Sequence, residues 1–138
     1  MKDNLAQLLQ NQQMRTDELE TLLEARKNGE IDFTLIDIRE VFEYTNSSIE
    51  GSDLLIPTSV IQGHLDKFEE LKDKPVILYC RTGTRTGNVM NALHNMGYQN
   101  IVHLNGGILS YRGKTLRNAE IPIDTPPPKE GGFFRTLN

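Results

Sequence analysis

Four short apolar runs, set between longer stretches of helical spacing, most constrain how this chain can fold. They are "FTLIDI" (33–38), "DLLIP" (53–57), "PVILYC" (75–80) and "NIVHL" (100–104). Each is continuous rather than alternating, as a strand buried on both faces must be. The intervening segments have the other period. "REVFEY" is polar with helical spacing. "HLDKFEEL" puts Leu65, Phe68 and Leu71 on one helical face. Arg85 to Met96 turns Val89, Leu93 and Met96 inward, and Gly97 stops it. Upstream, Thr16 and Asp17 start a helix whose first turn is acidic, where the helix dipole favours it. Leu19, Leu22 and Leu23 supply its apolar face, and Gly29 ends it. Downstream, "NGG" is a turn and "ILSYRGKTL" reads as one more helix. Strands that alternate with amphipathic helices imply an α/β fold with a mainly parallel sheet and helices on both faces. Residues 1–15 are expected to be a frayed extension, with Leu5, Leu8 and Leu9 available for one docking turn. Residues 16–120 form the domain, and 121–138 a Pro-rich tail.

A chain of 138 residues fits one domain and buries enough apolar surface to stand without disulfides. One cysteine excludes an intramolecular disulfide. The net charge of −4, with no basic stripe, argues against a nucleic-acid partner. No apolar run approaches the ~18 residues of a membrane span. The N-terminus lacks the apolar stretch of a signal peptide. The expected location is cytoplasmic, where a thiol stays reduced.

That one cysteine lies in "YCRTGTRTG" (79–87), between the clearest strand and the helix after it. Ligands of open parallel sheets bind outside the carboxyl ends of the strands, and Cys80 sits there. A cysteine kept only for packing has no use for the cations and glycines around it. Gly83 permits backbone angles that other residues avoid. Successive N–H groups can then turn inward as an anion nest, reinforced by the N-terminus of the following helix. Arg81 and Arg85 add full charges. Each contribution favours thiolate over thiol. Cys80 is therefore the candidate nucleophile, and Arg81, Thr82, Gly83, Thr84 and Arg85 the candidate cradle for an anionic substrate.

These segments resemble the single-domain rhodanese family of sulfurtransferases. "LIDIREVFEY" is similar to its opening strand and Asp-x-Arg-Glu signature, at Asp37, Arg39 and Glu40. "SIEGSDLLIP", "VILYCRTGTRT" and "LNGGILSYRG" resemble three further family segments, in family order. The resemblance implies a three-layer rhodanese-like fold and a Cys80 persulfide. That persulfide would take sulfur from a donor such as thiosulfate and pass it to cyanide, a thiol or a protein acceptor. It implies no metal and no organic cofactor. It also implies that backbone N–H groups from Arg81 to Arg85 hold the persulfide, and that Asp37 and Arg39 form an ion pair behind the loop. Ser48, Ser52 and Tyr111 depart from the residues common in the family and leave donor preference open.

Two other readings use the same residues. A persulfide carrier or sulfide-sensing module would act with a protein partner and turn over small donors poorly. A cysteine-dependent phosphatase or arsenate reductase would use the nest for an oxyanion. Those phosphatases place five residues between cysteine and arginine, whereas "CRTGTR" places four, a smaller cradle better suited to sulfur. His64, His94 and His103 share no metal-ligand spacing, and no histidine adjoins Cys80 in sequence to act as a base. In the tail, "TPPPKEGG" reads as polyproline-like, while Phe133 and Phe134 could dock on the domain or a partner. With no second cysteine, sulfur on Cys80 must leave to an acceptor outside the chain.

Overall fold

The computed structural model describes residues 2–126, with side chains from Leu5 onward. The helices are α1 (Lys2–Leu8), α2 (Thr16–Lys27), α3 (Val41–Asn46), α4 (Leu65–Glu70), α5 (Thr84–Asn95) and α6 (Gly107–Ser110). The strands are β1 (Gln13–Met14), β2 (Thr34–Asp37), β3 (Ser48–Ile49), β4 (Leu54–Leu55), β5 (Val76–Tyr79), β6 (Ile101–Leu104) and β7 (Thr115–Leu116). One 3-10 turn, Ile61–His64, leads into α4.

Five strands pair in parallel in the order β1-β6-β5-β2-β4. The central strand β5 is buried along its whole length, as its unbroken apolar run requires. Its two faces feed two cores. Ile77 and Tyr79 join Leu35, Val102 and Leu104 against Leu19 and Leu22 of α2. Val76 and Leu78 join Ile36 and Ile101 against Phe68 of α4 and Met90 and Leu93 of α5. Strand alternation alone sends neighbouring residues to opposite layers. The result is a three-layer α/β domain, as expected. Among the described residues, no helix is long and apolar enough to cross a membrane.

Three segments differ from expectation. Residues 2–15 are not frayed: α1 packs, Leu5 and Leu9 are buried, and Gln13 and Met14 pair with His103 and Leu104 as the edge of the sheet. A two-residue strand carries too little pattern to be read in advance. Just past the end of α5, Met96 is 52% exposed, and within the helix Met90 takes the inward position beside Leu93. The expected helix 108–116 stops at Ser110, because Tyr111 is extended and Thr115–Leu116 turns back to pair antiparallel with β3. A second, two-stranded sheet replaces it. At the other end of the chain, the Thr125 hydroxyl accepts the Leu55 N–H at 3.0 Å, on the edge strand β4. Phe133, Phe134 and the proline run from residue 127 lie outside the described residues.

If α1 is part of the core, Leu5→Ala and Leu9→Ala each lower unfolding free energy by about 2 kcal/mol. Urea denaturation measures this. Unchanged midpoints for both would return the segment to a frayed extension.

Candidate active site

Cys80 follows β5 directly and is buried, 1% exposed. The next residues must leave the sheet and enter α5 within three positions. Gly83 makes this possible with a left-handed φ of +107° as the N-cap of α5. A Cβ there would press on the Leu104 carbonyl and the Gly106 nitrogen, at 3.3 and 3.2 Å. The turn aims the N–H groups of Thr82, Gly83 and Thr86, the last in the first turn of α5 where it has no partner inside the helix, toward the sulfur. Gly83 N–H donates to Sγ at 3.1 Å.

The carbonyls of residues 80–82 have their own partners, all from the "NGGIL" segment. Gly106 N–H donates to Thr82 O (3.1 Å), Ile108 N–H to Cys80 O (2.9 Å) and Leu109 N–H to Arg81 O (3.0 Å). The contact is too close for a side chain at Gly107, whose Cβ would overlap the Arg81 and Cys80 carbonyl groups. "NGG" is therefore the clamp that turns loop carbonyls away and leaves the N–H groups for the sulfur.

Burial alone would push the Cys80 thiol up. The backbone N–H groups of Thr86, Gly83 and Thr82, with the Thr86 hydroxyl, outweigh it, so the thiol lies below its ordinary value. The donors are local dipoles. Arg85 does not serve as a free charge, contrary to expectation. Its guanidinium grips Glu43 of α3 with both ends, Nη1 to Oε1 at 3.0 Å and Nη2 to Oε2 at 2.9 Å. Glu43 Oε1 also accepts the Glu40 N–H at the start of α3. The Arg85 bond holds the Glu43 carboxyl down at about 2. Arg81 is exposed and has no ion pair among the described residues. Thr82 and Thr84 are exposed, their hydroxyls 3.5 Å apart.

Asp37 and Arg39 form the ion pair expected behind the loop. Arg39 Nη2 reaches Asp37 Oδ2 at 2.8 Å and Nε reaches Oδ1 at 3.0 Å, both residues buried. The guanidinium also donates to Ser47 O at 2.6 Å and lies over the Tyr79 ring. Beside the loop is a cavity of about 540 Å³, walled by Arg39, Phe42, Glu43, Arg81, Ile108 and Leu109 among others. Two apolar side chains stand exposed on its rim: Phe42 is 72% exposed and Leu109 62%.

Two residues beside Cys80 escaped the sequence reading. Thr86 Oγ1 lies 3.7 Å from Sγ, and His103 Nδ1 lies 3.1 Å from Thr86 Oγ1. Thr86 could have been suspected, since six positions past Cys80 is the first turn of α5. His103 could not, because only the parallel pairing of β5 and β6 brings it there.

Comparison with known proteins gives the family. The Rhodanese-like domain family matches residues 16–114. The chain belongs to that family. A probable adenylyltransferase/sulfurtransferase MoeZ of Mycobacterium tuberculosis is 35% identical over 77 residues, 56% of this chain and 19% of the relative. A tRNA uridine(34) hydroxylase of Cronobacter sakazakii is 31% identical over 96 residues, 67% of this chain and 27% of the relative. This rhodanese-like chain thus spans about a fifth to a quarter of those relatives. Among solved structures, a rhodanese-related protein from Thermoplasma volcanium superposes with a TM-score of 0.62 at 27% identity, covering 77% of this chain and 98% of that one.

The Glu43–Arg85 pair has a pH signature. A carboxyl held at about 2, against an ordinary 4.5, contributes stability that is present above 4.5 and lost as pH falls toward 2. Glu43→Gln therefore destabilises the protein at pH 6, and most of that difference is gone near pH 2.5. Urea midpoints at the two values measure it. An equal gap at both would mean the carboxylate charge plays no part.

Proposed function

We propose that this rhodanese-like chain is a sulfurtransferase that carries sulfane sulfur as a Cys80 persulfide, with thiosulfate as a competent donor. The observation that carries this reading is the convergence of the loop N–H groups on the Cys80 sulfur, with the loop carbonyls tied off behind them. The thiolate attacks the outer sulfur of thiosulfate. The sulfur–sulfur bond of the donor breaks, and sulfite leaves with its electron pair. The same donors then hold the anionic persulfide. An acceptor such as cyanide attacks the outer sulfur, leaves as thiocyanate and returns the thiolate. Dividing the transfer this way replaces one hard step with two easier ones. Arg81, Thr82 and Thr84 line the approach, with Arg81 as the cation that draws in the dianion.

The fate of Arg85 argues against phosphoryl or arsenate chemistry. An arginine that recognises a tetrahedral oxyanion uses its planar fork for two parallel bonds. Here that fork is filled by Glu43. The two exposed apolar side chains on the rim support a second reading, in which the acceptor is a protein thiol. Cyanide gains nothing from Phe42 and Leu109, whereas a protein surface around a cysteine would cover them.

Intact mass after thiosulfate, then after cyanide, tests the cycle. Wild type should gain one sulfur atom and lose it to cyanide. Cys80→Ser, with unchanged circular dichroism, should gain none. Sulfur retained on the serine variant would remove Cys80 as the carrier. No gain on wild type, with Cys80 still open to alkylation, would remove thiosulfate as donor.

A further inference from the structure

His103 is a buried titratable group that sulfur transfer as described leaves unused, and it stands one hydroxyl from the sulfur. Thr86 Oγ1 has a single proton and three neighbours to receive it. These are Gly83 O at 3.1 Å, Cys80 Sγ at 3.7 Å and His103 Nδ1 at 3.1 Å. The state of the imidazole selects among them. With Nδ1 bare, the hydroxyl can donate to the ring. With a proton on Nδ1, the ring donates to Oγ1, and the hydroxyl turns toward the sulfur or Gly83 O.

The far side of His103 is not sealed. It lines a polar cavity of about 620 Å³ with Gln12, Gln13, Arg15, Glu18 and Asn105. That cavity shares no lining residue with the one beside the loop that Phe42 and Leu109 wall. Its position depends on β1, since Gln12 O accepts the His103 N–H and Gln13 pairs with His103 in register. From α5, Gly87 and Met90 adjoin the ring without charge. The charged groups on this side are Arg15 and Glu18, and they are paired to each other at 3.5 Å, with Asp17 also on Arg15. Among the described residues, the remaining ionisable group near the ring is Cys80, reached through Thr86.

We propose that Cys80, Thr86 and His103 form a proton-linked triad in which His103 takes the thiol proton by way of the Thr86 hydroxyl. The S–H bond breaks as the thiol proton passes to Oγ1, and the Thr86 proton passes to Nδ1. Thr86 is unchanged and nothing is oxidised or reduced. The products are a thiolate and an imidazolium bridged by a hydroxyl that now donates to sulfur. Nε2 can release its proton to the cavity, which leaves the Nδ1–H form still holding Thr86 in that orientation. His103 is a positioning residue, because it acts only through Thr86. The burial that disfavours its charged form suits a base that must give the proton up again.

This inference rests on the reading of Cys80 as a reactive thiolate, but not on the sulfur donor. The test is therefore chosen to need no sulfur transfer. The His103 ring is titrated by NMR in wild type and in Cys80→Ser, which is isosteric and neutral. Coupling is reciprocal, so loss of the thiolate should lower the His103 midpoint by about one pH unit, a tenfold change in proton affinity. In the Thr86→Val background, Cys80→Ser should move it several-fold less, while Thr86→Ser should restore the full shift. In parallel, alkylation by the neutral reagent iodoacetamide should slow about tenfold at pH 7 in His103→Leu. It should slow little further when His103→Leu is added to Thr86→Val. A His103 midpoint indifferent to Cys80→Ser, or the same shift with and without the Thr86 hydroxyl, overturns the triad. Coupling that persists in a protein unable to take sulfur from thiosulfate would overturn the proposed donor and leave the triad standing.

Discussion

Everything at this site depends on where the carbonyl groups of residues 80–82 find their hydrogen bonds. A loop that gathers N–H groups on one side must turn its carbonyls to the other, where they need donors of their own. The "NGGIL" segment supplies three in succession, from Gly106, Ile108 and Leu109. Their approach is so close that only glycine fits at position 107. Without this clamp the carbonyls could swing inward, and the sulfur would meet acceptors in place of donors. The start of α6 thus sets the electrostatics of a thiol some thirty residues upstream, on a neighbouring strand.

Burial and hydrogen bonding act on Cys80 in opposite senses, and hydrogen bonding prevails. It prevails through short, fixed dipoles rather than through the two arginines. Arg85 spends its charge tying α5 to Glu43 of α3. Arg39 spends its own on Asp37. Both pairs hold the walls around the loop in register. Arg81 is left as the exposed cation of the loop. Placing donors on the backbone keeps them preorganised around the sulfur.

The fold was legible where pattern and packing agree. Unbroken apolar runs can only be strands covered on both faces, and β2, β5 and β6 are such strands. Legibility failed where a long-range partner overrode local preference. Residues 13–14 are a strand because β6 offers an open edge. Residues 115–116 are a strand because β3 lies opposite them, although the segment could have continued as a helix. Met96 points outward because α5 ends there, one turn beyond the last inward contact at Leu93. The same limit hid Glu43 and His103, which reach the site from α3 and β6.

The order of residues by itself determined that Cys80 would end a buried strand, that Gly83 would turn the chain, and that N–H groups would gather at the start of the next helix. These follow from local sterics and from the N–H groups that every helix start leaves unpaired. Tertiary structure alone decided which charges remain free. The role of Arg85 depends on a carboxylate 42 residues away, and that of Thr86 on an imidazole 17 residues away. A side chain's partner is a property of distance in space, and strand order in the sheet sets that distance.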